Sequence, residues 1–448
     1  MKGFYKSFFF LMIPMALKEL IAAFINLLDS VMLGDFGKEV IAAVGIANQW
    51  YFLFTVVVFG MCGGAGVFAA QYWGAKDTKQ MKKVLGLNLI LVIIASAVFM
   101  SAAFFFPDKI ISIFRKDTEV IGYGVRYLRI ACFSYLFAAL TAAFDMSLCC
   151  SEHANVPFVT RFIGLIVNFV MNWILIFGKF GFPKLGIEGA AIATIIARIT
   201  ELVIMLSVIY KKKYIQAATP KELFSIPKGM PREYFKAALP VMINEGAWSL
   251  GITVYSWVFA QVSTDAAVVI TIVQNIERLL LVFFHGGGNA AGILVGKLVG
   301  GGDYDKAYKL SERLAGVNFI FSLAISACFI LIRPLVLIPY NITPEIYKET
   351  MNILFLTAIL MNIKAMTFLL IVGVFRNGGD TKTAAIIDIC SLWLVGVPAV
   401  ITAGLFFKFP IFYIYMVMMI EEVVKLSLSI PYFLSKKWIR NLVGHEND

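Results

Sequence analysis

Residues 14–20 read PMALKEL, and residues 240–246 read PVMINEG. Pro14 matches Pro240 and Glu19 matches Glu245, both at an offset of 226 residues. Extended over residues 14–83, the offset needs no gap and gives 12 identities in 70 positions. In so apolar a chain the kind of identity weighs more than the count. Gly60/Gly286, Gly66/Gly292, Gly74/Gly300, Asp77/Asp303 and Lys83/Lys309 coincide, and Asn48-Gln49 returns as Gln274-Asn275 in swapped order. The offset still holds at Glu119/Glu345 and Gly178/Gly404. The chain is built from two copies of one unit.

Each copy reads as membrane-spanning. The 448 residues are 60% hydrophobic and only 15% charged, against about 25% charged in ordinary soluble domains. Apolar runs of about 20 residues, the length that crosses a bilayer as helix, recur near 8–33, 43–72, 84–106, 123–149, 155–178, 187–210, 236–262, 267–298, 311–332, 347–375, 383–407 and 411–434. The fold expected is an all-α integral membrane protein with twelve transmembrane helices in two six-helix bundles. Six is even, so each copy starts and ends on one side, and the copies are parallel repeats about an axis along the membrane normal. The domain reading is an N-lobe at 1–210, a cytoplasmic linker at 211–236 and a C-lobe at 237–448. The linker begins KKKY, contains Pro220, Pro227 and Pro231, and carries a net charge of +5. No cleavable signal peptide is evident, because the first apolar run continues past Pro14 without a small-residue cleavage site.

The net charge of +11 raises the question of nucleic acid, and its distribution answers it. Lysines and arginines at the termini and on the loops of the same side number 23, against 9 on the other side. That asymmetry is the positive-inside signature. It predicts a multi-pass protein of the cell (plasma) membrane with both termini cytoplasmic and no nucleic-acid partner. The six cysteines lie in or beside apolar runs without a CxxC pair and read as small packing residues.

Ionisable residues inside the spans are the functional candidates, since a charge at a bilayer centre costs about 2.5–3.5 kcal/mol on insertion scales. Glu19 and Asp29 lie on the first span, Glu245 on the seventh and Lys364 deep in the tenth. Lys364 is placed to neutralise Glu245. Glu421, Glu422 and Lys425 read as local pairing at helical spacing. Buried carboxylates suit proton or cation coupling, because a site open to each side in turn loads and unloads a proton, and a cationic substrate competes for it. GMCGGAG (60–66) and HGGGNAAG (285–291 and Gly292) read either as hinges or as close helix packing by small residues. Trp248 and Tyr255 on helix seven are candidates for a pocket that takes aromatic cations. Gln49 and Asn275, the swapped pair, are further candidates for substrate contact.

Four stretches together, LLDSVMLGDFG (27–37), AAQYWGAKD (69–77), GKFGFPKLGIEGAAIAT (178–194) and FRNGGDTKT (375–383), resemble the multidrug and toxic compound extrusion (MATE) family. Their order and spacing over the whole chain carry the resemblance. It implies two six-helix bundles in a V shape and export of cationic or amphipathic compounds driven by Na⁺ or H⁺, with no cofactor. It also implies that Asp29 is the family's first-helix aspartate, with Asn168, Asn172 and Thr194 completing a polar cluster. An asparagine at 172 in place of a second acid leaves a Na⁺ site near Asp29 short of charge and favours H⁺. Glu245 is similar to a glutamate of the NorM-like branch, while Lys364 stands where that branch has an acid. A Glu245–Lys364 pair is the expectation for the C-lobe.

Two rivals follow. A lipid-linked oligosaccharide flippase of the same wider superfamily would use more cationic residues around its cavity. A membrane enzyme would need a catalytic constellation, and HExxH, GxSxG and acid-rich metal motifs are absent from the sequence. Nothing in the sequence requires more than a monomer.

Overall fold

The computed structural model describes residues 2–33, 36–114, 117–340 and 342–444, with the side chains of all but 2–4, 23, 26, 27, 29–31 and 38. These residues form helices and connecting turns, with no strand among them beyond one isolated bridge between Gly379 and Ile439. The helices of the first copy are α1 (Lys2–Met32), α2 (Lys38–Gly74), α3 (Thr78–Phe105), the short α4 (Pro107–Phe114), α5 (Thr118–Ala131), α6 (Ser134–Cys150), α7 (Asn155–Phe177) and α8 (Ile187–Lys211). The short α9 (Pro220–Phe224) follows. The second copy has α10 (Met230–Val262), α11 (Thr264–Gly300), α12 (Tyr304–Leu337), α13 (Pro344–Phe368), α14 (Thr381–Cys390), α15 (Val397–Ile401) and α16 (Ile411–Leu434).

The twelve expected spans map onto these helices in order. The fourth is the pair α5 and α6, bent by 50°. The tenth is α13, continued as π-helix over Leu369–Arg376. The eleventh runs from α14 through α15, with π-helical stretches at Ser391–Gly396 and Thr402–Phe406. Pro398 lies between these two stretches and removes one N–H from the regular ladder. Among the described residues, eight helices are long and apolar enough to cross a membrane, and nine are if the bent pair counts as one span.

Side-chain caps start the helices where the sequence turns polar. Asp77, Ser263, Thr343 and Asp380 accept from the first turns of α3, α11, α13 and α14, each satisfying a donor that lacks an intrahelical partner. Thr219 and Glu222 form a reciprocal capping box on α9.

The chain forms two compact units. The N-unit comprises residues 17–69 and 77–238, and the C-unit comprises 1–16, 70–76 and 239–448. The unit boundaries therefore depart from the sequence halves at 1–16, 70–76 and the segment up to 238. The glycine stretches give the physical reason. In the C-unit a Cβ on Gly286 would come within 2.7 Å of the Ala16 Cβ, so the first half of α1 lies directly on α11. In the N-unit a Cβ on Gly64 would come within 2.3 Å of the Ala238 Cβ, so the start of α10 lies directly on α2. Each glycine stretch thus receives the first half of a first helix, and α2 and α11 run through these glycines unbroken. Of the two readings of these stretches, close packing is what the geometry displays.

One contact repeats under the internal offset. A Cβ on Gly74 would lie 1.8 Å from the Lys297 carbonyl oxygen, and a Cβ on Gly300 would lie 2.0 Å from that of Gln71. Gly74 corresponds to Gly300 and Gln71 to Lys297 at the 226-residue offset. The ends of α2 and α11 therefore cross in a self-complementary way, as in a two-fold contact.

The N-unit core gathers Phe54, Tyr135, Leu128 and Val92, with the Phe54 and Tyr135 rings stacked at 4.9 Å. The C-unit core gathers Phe259, Val273, Ile353 and Tyr415.

Candidate functional site

Each unit buries ionisable side chains inside its apolar helices, and Lys18, Arg161, Arg198, Lys364, Arg376 and Lys425 each contact a carboxylate. In the N-unit, Lys18 of α1 meets Asp145 of α6 at 2.7 Å, and Cys149 donates its thiol to Asp145 Oδ1 at 3.2 Å. Glu201 of α8 lies between two guanidinium groups. Arg161 Nε reaches Oε1 and Arg198 Nη1 reaches Oε2, both at 2.9 Å. Beside them, Asn172 donates from Nδ2 to Asn168 Oδ1 at 3.2 Å, and Thr194 donates to the Ala190 carbonyl. Asn168, Thr194, Arg198, Glu201, Gly164 and Ile25 line a cavity of ≈ 10 Å³, about the room one water needs.

The implied polar cluster is thus partly assembled. Asn168, Asn172 and Thr194 share one region of the N-unit, against a Glu201–arginine group that was not expected there. Asp29 belongs to the same cluster in the family pattern. Its backbone is on α1, and its side chain lies outside the described residues, as does any Na⁺ ligation by it. Glu19 is exposed, next to the paired Lys18. Among the described residues, no group of three or more His, Cys, Asp or Glu side chains has a metal-holding arrangement.

The C-unit holds a larger network. Arg376, on the last π-helical turn after α13, donates from Nη1 to Glu245 Oε1 of α10 at 2.9 Å. Lys364 of α13 pairs with Glu277 of α11. The expected Glu245–Lys364 pair is therefore not present, because each partner has found another of opposite charge. Lys425 of α16 faces three carboxylates. It meets Asp388 at 2.7 Å, pairs with Glu421, and stands 3.7 Å from Glu422. Asn244 donates to Asp388 at 3.0 Å, Tyr255 donates to Glu421 and Thr367 donates to Glu422 at 2.7 Å. Reading Glu421, Glu422 and Lys425 as purely local pairing misses Asp388, which comes from α14.

The substrate candidates divide. Trp248 is 40% exposed, and Gln49 and Asn275 are exposed. Tyr255 is buried, and its hydroxyl is engaged by Glu421.

Two arginines escaped the sequence reading. Arg161 and Arg376 counted there as loop charges that orient the chain, yet their side chains are only 17% and 5% exposed and both are paired. The signal for Arg376 is the uninterrupted apolar run LLIVGVF before it, which the helix follows to its end.

Charges withdrawn from water are held by opposite charges and hydrogen bonds or not at all. In the C-unit five carboxylates (Glu245, Glu277, Asp388, Glu421 and Glu422) face three bases (Lys364, Arg376 and Lys425). The acids therefore exceed the bases by two. Intramembrane networks of this kind mark ion and substrate pathways.

An all-helical chain of repeated apolar spans around buried ion pairs defines a multi-pass membrane transporter. The chain belongs to the MatE family, whose model matches residues 14–174 and again residues 240–402. The two matches begin 226 residues apart, which is the offset of the internal repeat. The protein is a transporter and not an enzyme. It is 24% identical over 445 residues to the uncharacterized transporter YisQ of Bacillus subtilis, covering 97% of this chain and 95% of that one. It is 24% identical over 438 residues to a probable multidrug resistance protein NorM of Thermotoga maritima, covering 97% and 93%. Its fold matches an outward-facing multidrug resistance MATE family transporter of the MOP superfamily with a TM-score of 0.87, at 18% identity over 96% of this chain and 95% of that one.

Proposed function

We propose that the chain exports cationic, amphipathic small molecules from the cell in exchange for H⁺, by alternating access between its two halves. The observation that carries this reading is the acid excess of the C-unit, five carboxylates against three bases. A buried site with surplus negative charge attracts a cation, and protonation removes the attraction. That is the competition an antiporter requires. In the N-unit Lys18 contacts Asp145, and Arg161 and Arg198 share Glu201. Proton coupling is favoured over sodium because asparagine, not an acid, stands at 172 in the cluster assigned to Asp29. The ion-coupling residues in this reading are Asp29, Asn168, Asn172, Thr194, Glu19, Glu245 and Lys364. Trp248, Gln49 and Asn275 offer exposed surface for cargo. The charge asymmetry of 23 against 9 supports the reading of a plasma-membrane protein with both termini cytoplasmic.

Ethidium efflux from cells stripped of their own pumps tests the reading. Efflux above an empty vector is expected, with collapse on adding an uncoupler, persistence without sodium, and loss in Asp29→Asn and Glu245→Gln. Efflux that survives the uncoupler and stops without sodium would replace H⁺ by Na⁺. No efflux from an inserted, folded protein would move the flippase reading ahead.

A further inference from the structure

The proton inventory around Lys425 does not balance if every carboxylate is ionised. Lys425 makes close contact with Asp388 and Glu421 and stays 3.7 Å from Glu422. The neighbour that serves Glu422 is Thr367, whose Oγ1 lies 2.7 Å from Glu422 Oε2 and 3.0 Å from the Lys364 carbonyl oxygen. A threonine hydroxyl has one proton and cannot donate to both oxygens. If Glu422 carries a proton on Oε2 and donates it to Thr367, the hydroxyl is free to donate to the carbonyl, and both contacts become hydrogen bonds.

A second observation points to the same cluster. Asn244 is 3% exposed. Its Nδ2 donates to Asp388 Oδ2, while its Oδ1 has no partner among the described residues. Turned over, the same amide accepts from a protonated Asp388. Asn244 therefore fits Asp388 in either protonation state.

The groups that face the cluster come from four elements. Tyr255 and the Glu245–Arg376 pair come from α10 and the turn after α13, and the Lys364–Glu277 pair from α13 and α11. Both pairs are internally neutral. The excess of two negative charges therefore resides on Asp388, Glu421 and Glu422 around one ammonium. Tyr255 and Lys425 both contact Glu421.

We propose that this cluster is a proton-exchange site, with Glu422 as the first proton acceptor, donating to Thr367, and Asp388 as the second, donating to Asn244. Two protons bring the five carboxylates and three bases to formal neutrality. The proposal rests on the proton-coupled reading above and names where in the C-unit the proton binds.

Infrared difference spectroscopy of the full chain in maltoside micelles, titrated with acid and base and without cargo, tests it. A buried protonated-carboxyl band that titrates with pH is expected. Glu422→Gln removes most of it, and Thr367→Val shifts it to higher wavenumber by taking away its hydrogen-bond acceptor. Glu421→Gln and the exposed Glu312→Gln leave it in place. Elution as a monodisperse peak certifies each variant as folded. No titrating band, or a band unchanged in Glu422→Gln and Asp388→Asn, overturns the proposal. A band that disappears on replacing choline by sodium at constant pH also overturns it and assigns the site to Na⁺. The band is read without transport, so absent ethidium efflux leaves it standing, and an absent band leaves coupling at other residues standing.

Discussion

At the scale of single residues, the argument turns on which charge finds which. The repeat singled out Glu19 and Glu245 by position. Their surroundings were not legible, because partners such as Arg376 and Glu245 lie 131 residues apart in the chain and nothing local encodes their meeting. Lys364 reads in sequence as a deep base for Glu245, whereas the structure pairs it with Glu277, which stands in sequence beside Arg278. For the Glu245–Arg376 pair, 17% and 5% exposed, removal of one partner leaves an uncompensated buried charge, at a cost of about 3–5 kcal/mol. Arg376→Ala should lower the thermal midpoint sharply in detergent, and Glu245→Gln combined with Arg376→Met should recover most of the loss. Equal and additive losses would mean that the pair is not coupled. Outside the spans, Lys82 and the Thr219 hydroxyl and N–H hold the Glu222 carboxyl down, from 4.5 to about 2. Because the folded value is the lower one, this contribution is complete above 4.5 and is lost as pH falls toward 2. Peptic cleavage of the 211–229 linker should rise through that window in the wild type and be high and flat in Glu222→Gln.

At the scale of elements, most of the fold was legible. Twelve apolar runs became twelve rods because a backbone in lipid must bond to itself, so length and hydropathy leave little freedom. What could not be read was where rods bend or widen. The turn after Leu369 and the stretches around Pro398 are π-helical, and this carries Arg376 to Glu245. The glycine stretches were read two ways, and only the neighbours decide between them. At Gly300 a Cβ would lie 2.0 Å from a backbone oxygen, whereas at Gly316 nothing lies within 4 Å. Gly300→Val should destabilise by about 1–3 kcal/mol through overpacking. Gly316→Ala, in mid-helix, should stabilise by up to about 1 kcal/mol. Thermal midpoints of the two variants moving in the same direction would contradict this account of α2–α11 packing.

At the scale of the whole molecule, duplication explains both what is shared and what has diverged. Both halves keep the opening proline and glutamate, the glycine stretch and the crossing of Gly74 and Gly300. Their polar centres differ: the N-unit sets three described buried bases against two carboxylates, with Glu201 shared by Arg161 and Arg198, and the C-unit keeps two acids in excess. That difference is why the chain is read as moving cations against protons. The most direct test is purified protein in liposomes loaded with ethidium and given a pH gradient alone, with sodium absent on both sides. The account predicts ethidium movement against its own gradient, reversing when the pH gradient is reversed and abolished when it is dissipated. Movement that ignores the pH gradient and follows an imposed sodium gradient would contradict it.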